Sequence, residues 1–302
     1  MEPPKESPDL ELSICQLCAK KPTGEKSHII PRLVSKAIAR ECGGHRLRST
    51  ENPNKIEQDT LKIHFLCKNC EDAFEKHETA FAIKLKEYLK NPNSDLQITE
   101  HTYRLLLSSV WRAAKFMALT NPPEQVSHLV LPEFNWREYL LSKRSDVAKF
   151  SLYLFREKDL KDDEIKSARA LTHTILRYSI GFGVNGFYEK GFTRQAVMVK
   201  LGPLVVCGLM RDLENSNTTE VEQWEKFKIT PGLNIYHPSR DLPKSVIAGI
   251  DSFIAWSTVS IENKMSNTQK TKQKEHASKT LHKTIANQFF KKDLELFNKQ
   301  DS

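Results

Sequence analysis

The chain has 302 residues, enough for one large or two ordinary domains, and its 39% apolar content is sufficient for a core and excludes disorder throughout. A formal net charge of +8 and a pI of about 9.0 favour polyanionic partners, nucleic acid first. The N-terminal "MEPPKESPDLELS" is acidic and Pro-rich and lacks the apolar centre of a signal peptide. The longest apolar run, "SVIAGIDSFIAWSTVSI", is broken by Asp251 and reads as a buried helix and not a membrane span. A cytoplasmic location is the expectation, and reduced thiols there suggest metal before disulfide.

In chain order, residues 1–12 read as a flexible tail. Residues 13–92 hold the Cys-x-x-Cys pairs. Within them, "PRLVSKAIARE" reads as a short helix with Pro31 in its first turn, and "ECGGHRLRS" breaks it at Gly43 and Gly44. "TLKIHFLC" alternates as a strand does and runs into the second pair. "EDAFEKHETAFAIKLKEYLK" is a helix on whose apolar face Phe74, His77, Phe81, Leu85 and Tyr88 recur. Residues 93–265 read as a mixed α+β domain of unknown role. A helix follows the N-cap Thr99, with Tyr103, Leu106, Leu107, Val110, Ala114 and Met117 as its stripe. "EFNWREYLLSKR" is a further helix. "KFSLYLF", "RQAVMVK" and "GPLVVCGLM" are strands, "GFGVNGF" is a turn, and "PKSVIAGIDSFIAWSTVSI" is a helix. Residues 266–302 are Lys-rich, helical or flexible. The fold class expected is α+β, a small zinc-stapled domain followed by a larger mixed domain.

The strongest chemical signal is "CQLC" (Cys15, Cys18) with "CKNC" (Cys67, Cys70). Each pair presents two thiolates to one ion, and four complete the closed tetrahedral shell of structural zinc. The long gap between them must fold, and it carries "KSHIIPR". Cys42 and Cys207 read as ordinary buried thiols.

The order "CQLC", "SHIIPR", "ECGGH", "FLCKNCE" resembles the HNH (ββα-metal) endonuclease superfamily over about the first third of the chain. It is closer still to bacterial proteins of unassigned role that share "SHIIP" and "LCxxCE" and continue into a "WRA" helix, here Trp111 to Ala113. The HNH resemblance implies a metal-dependent hydrolase, and the closer match implies a bacterial source but brings no known activity. In such a site a His acts as general base on water, and a divalent cation, Mg2+ or Mn2+, offsets charge on the phosphate. Carried over by position, His28 is the base, Ser27 stands at the first ligand position and Glu71 at the helix ligand position. Ser27 departs from the pattern because a neutral hydroxyl is a poor ligand. Glu71 suits magnesium. Glu75 and Glu78 share its helix face and stand either as replacement acids or as a solvated acidic face.

Arg32, Lys36 and Arg40, at i, i+4 and i+8, form a basic stripe suited to phosphate contacts. Arg46 and Arg48 lie in the same insert. Arg104, Trp111, Arg112 and Lys115 are a weaker candidate surface. Three hypotheses follow: a nuclease with His28 and Glu71 in its site; an inactive zinc-stabilised module that binds nucleic acid, DNA ahead of RNA; and a module that docks on the C-terminal domain or on a protein partner.

Overall fold

The computed structural model describes residues 12–41, 48–57, 59–92, 94, 96–161, 164–166, 172–235, 241–280 and 292–293. Residues 1–11 of the expected tail, Cys42, Gly43, Gly44, His45, Arg46 and most of 281–302 lie outside them. The chain is a mixed α and β fold. No helix among the described residues is long and apolar enough to cross a membrane.

The first elements are β1 (Lys26–His28), α1 (Arg32–Glu41), β2 (Lys62–His64) and α2 (Lys68–Lys90). β1 and β2 pair antiparallel, with Ser27 opposite Ile63 and His28 opposite Lys62. The chain upstream of β1 joins this ladder: Gln16 donates to the Phe65 carbonyl (2.9 Å) and Gly24 to that of Leu66 (2.7 Å). α1 buries Val34, Ser35, Ala37 and Ile38, and turns Arg32, Lys36 and Arg40 to solvent. α2 buries Phe74, Phe81, Leu85, Tyr88 and Leu89.

β3 (Leu96–Ile98) leads into α3 (Glu100–Thr120), whose cap Thr99 accepts from the Thr102 amide (3.2 Å). α4 (Pro123–Val126) and α5 (Val130–Leu140) follow, then β4 (Leu152–Arg156) and α6 (Thr172–Tyr178). β5 (Ile180–Glu189), β6 (Phe192–Leu201) and β7 (Leu204–Asn215) form a meander. α7 (Thr218–Glu225), β8 (Lys228–Ile229), β9 (Leu233–Ile235), α8 (Lys244–Lys264) and α9 (Asn267–Thr280) complete the described chain. The five-stranded antiparallel sheet has the order β5-β6-β7-β4-β8, and β3 pairs with β9.

The period-2 alternation of strands gives this sheet two apolar faces. Val197, Val199, Leu201 and Val206 share a core with α3, α5 and the N-terminal elements as far back as Cys15. Ala196, Met198, Val205 and Cys207 face the other core, with Trp224 of α7 and Val246, Ile250 and Ile254 of α8. α3 lies between the N-terminal elements and the sheet and buries residues all round. Trp111 and Trp136 are anchored in this layer: their indole N–H groups donate to Glu133 (2.8 Å) and to the Phe150 carbonyl (2.8 Å).

Two expectations change. "GFGVNGF" does not turn; it is strand β5 at the sheet's edge, paired along its length with β6. The turn comes after it, at Gly191 with φ +71°. An edge tolerates glycine because one side of the strand needs no neighbour, and Gly181 and Gly183 open onto empty space. Arg112 is buried inside α3 and so is no surface candidate. Part of the C-terminal segment is docked: the Asp293 carboxylate accepts from the amides of His173 (2.8 Å) and Thr174 (3.0 Å) at the start of α6.

The layer contact depends on Gly208 of β7. A Cβ there would stand 2.4 Å from Val110 of α3 and 2.8 Å from Trp136 of α5. Gly208→Ala should therefore destabilise the fold by about 1–3 kcal/mol, the usual cost of overpacking. A urea midpoint equal to that of the wild type would refute this tight contact.

Candidate functional site

The two cysteine pairs meet. The four Sγ atoms of Cys15, Cys18, Cys67 and Cys70 all lie within 4.8 Å of one another, and Cys18 and Cys67 are 3.9 Å apart. Sulfurs bound to one zinc at about 2.3 Å in a tetrahedron sit about 3.8 Å apart, so this cluster could hold zinc. Local backbone shapes each pair. Ala19 takes the left-handed conformation at φ 53° and donates to the Cys15 carbonyl (2.9 Å), which closes the first knuckle. Cys67 is the N-cap of α2, so the second pair straddles the helix start.

The thiols interact strongly. A hydrogen bond from Cys70 holds the Cys15 thiol down at about 4 against the opposing effect of burial, helped by the amides of Cys18, Cys67 and Leu17. Cys70 is pushed up by its bond to the Cys15 sulfur and by burial, and Cys67 is pushed up chiefly by burial. One thiolate forms readily, and the next ones need a cation beside them. Four clustered sulfurs, those of Cys15 and Cys67 buried, that must shed protons together suit a divalent soft-to-borderline ion.

His28 ends β1. Its imidazole is 17% exposed, and Nε2 lies 2.8 Å from Oδ1 of Asp59. The two atoms are close, but the contact falls outside hydrogen-bond geometry and Nε2 is buried without a hydrogen-bond partner. Asp59 also receives the Thr60 amide (3.0 Å) and lies near Arg32 (3.7 Å) and Lys62 (3.5 Å). Burial works against ionising Asp59, but His28, the Thr60 amide and Arg32 outweigh it and hold its carboxyl below the ordinary range. The side chain of Arg32 is 54% exposed and stands at the head of the α1 stripe, so the stripe begins beside the His28–Asp59 pair.

Glu71 is in the first turn of α2, where its charge complements the helix dipole. Its Oε2 is buried with no hydrogen-bond partner. Glu75 is exposed. Glu78 is only 14% exposed and ion-pairs with Arg112 (3.2 Å), so it is not part of a solvated acidic face. Burial pushes the Glu78 carboxyl up, the nearby Glu71 adds to the effect, and Arg112 opposes it. Ser27 is buried in the middle of β1, on the opposite side of the strand from His28. Among the described residues, the cysteines form the cluster of three or more metal-ligating side chains; His28, Glu71 and Glu78 form no second one. The donor set for a second cation would rest on the Glu71 carboxylate, whose Oε2 has no hydrogen-bond partner. Magnesium, which is held by one or two carboxylates plus substrate phosphates, is the ion such a set would accept.

The other histidines have different settings. His64 Nδ1 contacts the Gly24 carbonyl (2.9 Å) and so braces the strand pair. His77 meets His101 of α3, Nδ1 to Nδ1 at 2.9 Å, and burial with the His101 charge lowers it to about 4. Asp59 carried no signal in the sequence: it belongs to no periodic element, and only its place three residues before Lys62, opposite His28 in the ladder, tied it to this site.

No family model, curated protein or solved structure matches the chain.

Zinc analysis tests the sulfur cluster. The purified chain should carry one zinc per molecule, and Cys67→Ser should lose it together with several kcal/mol of stability, since metal binding and folding are coupled. Full zinc content in that variant would exclude the four-sulfur site.

Proposed function

We propose that the N-terminal module acts on nucleic acid as an HNH-like phosphodiester hydrolase, with His28 as general base. The observation that carries this reading is the placement of His28: it is partly exposed at the end of β1, in an antiparallel pair that runs into α2, and has a carboxylate at Nε2. Nδ1 makes no hydrogen bond to the described residues and is the nitrogen left to accept a proton. Water would give its proton to Nδ1 as its oxygen attacks phosphorus and the ester oxygen leaves. Asp59 would stabilise the imidazolium that forms. Glu71 would hold Mg2+ or Mn2+, which supplies positive charge beside the phosphate. Arg32, Lys36 and Arg40 would contact neighbouring phosphates, DNA ahead of RNA, and set the register of the strand.

A second reading is a module that binds nucleic acid without cutting it. Its support is the poverty of the cation site: Ser27 is neutral and buried, and Glu78 is committed to Arg112. In both readings the cysteine cluster is the structural zinc centre. A bacterial source stays with the resemblance alone, a cytoplasmic setting with the sequence reading, and a protein partner on the C-terminal layers is the third reading.

Plasmid nicking separates the two. The hydrolase reading expects nicking that needs magnesium or manganese, stops with EDTA and falls by at least about 10²-fold in His28→Ala, with zinc retained. Replacing Arg32, Lys36 and Arg40 by Ala should reduce the slope of log affinity against log salt by about 2–3. Wild-type nicking that persists in His28→Ala would eliminate His28 as base. Salt-dependent binding without turnover in any metal would select the second reading.

A further inference from the structure

A permanently charged guanidinium lies in the most apolar part of α3. Arg112 is 0% exposed, between Trp111 and Ala113, both fully buried. Placing such a group out of water is costly unless its donors are used. Nη1 donates to the carbonyl oxygen of His28 (2.9 Å), and Nη2 donates to Glu78 of α2 (3.2 Å). The guanidinium carbon sits 4.8 Å from the centre of the Phe74 ring. One rigid fork therefore ties the last residue of β1 to α2, the helix that carries Glu71. The fork is planar, so the separation and angle of its two acceptors are fixed together, which a lysine ammonium could not do.

We propose that Arg112 is the positioning residue of the His28 site, so that the site is completed by α3, outside the cysteine-bearing module. β1 has only three residues, and just past its end the chain is tied to the approach to β2 by the Ile29 amide on the Leu61 carbonyl (3.0 Å). Arg112 adds a further tie from α3 by holding the His28 peptide itself. It also offsets the charge of Glu78, whereas the half-buried Glu71 on the same helix keeps a buried oxygen, Oε2, without a hydrogen-bond partner. α3 is in turn locked to the sheet at Gly208. The larger part of the protein thus sets the geometry of the smaller part's site. The inference rests on the reading of His28 as the reacting residue, and the test has one arm that does not.

The experiment uses the full zinc-loaded chain and the variants Arg112→Lys and Glu78→Gln. The first readout is the imidazole 15N resonances of His28, assigned by their loss in His28→Gln. The second is nicking kinetics. Arg112→Lys is expected to move the His28 resonances with zinc still at one equivalent, and to lower kcat by about 10²-fold with KM within about twofold, as a misplaced reacting group does. In the Glu78→Gln background the same change should add little. A residue that only stabilises the core would lower the urea midpoint and leave the His28 resonances and kcat in place; that result overturns the proposal. Should Arg112→Lys fail to fold, Glu78→Gln decides: it keeps the guanidinium but loosens one arm, and unmoved His28 resonances there also overturn it. If the wild type does not nick but Arg112→Lys still moves His28, the positioning role stands and the hydrolase reading falls.

Discussion

The convergence of four sulfurs is the constraint from which the N-terminal architecture follows. Cys18 and Cys67 are 49 positions apart, and bringing them to 3.9 Å closes a loop that contains β1, α1 and β2. Strands of three residues are too short to persist by themselves. Here they are pinned at one end by the cysteine pairs and roofed by α1 and α2, whose apolar residues share the same core. His28 and Asp59 face each other because the closed loop returns the chain to β2 in that register. Loss of the sulfur cluster would therefore undo the placement of His28 along with the fold around it.

α3 gives the second half of the account. It packs on α2 and on the sheet, and its buried surface makes the cores of the two parts continuous. Surrounding a helix on all sides leaves little room for polar groups. Ser108 and Ser109 donate back to the Leu105 carbonyl, and Arg112 spans β1 and α2 through its two Nη groups, while its Nε is buried without a partner. Arg112 is accordingly better explained by what it holds than by stability, because a buried ion pair adds little net stability over apolar packing.

Much of this was legible in the residues. The paired cysteines announced their cluster, since each Cys-x-x-Cys knuckle brings two thiols within reach of one ion. The stripes of α2 and α3 and the Thr99 cap marked the helices because periodicity and capping are local. What failed was non-local. "GFGVNGF" reads as a turn until β6 supplies seven partners for its seven residues. Arg112 reads as a surface cation until α2 and β1 close over it. Glu78 reads as solvated for the same reason. Asp59 sits in an irregular stretch, where nothing in the sequence says which side chain it will meet. Polar residues of the site were the hardest to place, because their partners lie on other elements.

The central claim is that the cysteine-closed module presents His28, Asp59 and the exposed face of α1 as one surface to nucleic acid. The most direct test is to titrate a short DNA duplex into the zinc-loaded, isotope-labelled protein and map the amide shifts. The account expects the perturbations to gather on Arg32, Lys36, Arg40, His28 and residues 59–62, and to weaken as salt is raised. Shifts confined to the sheet, to α8 or to α9, with these positions unmoved, would contradict it.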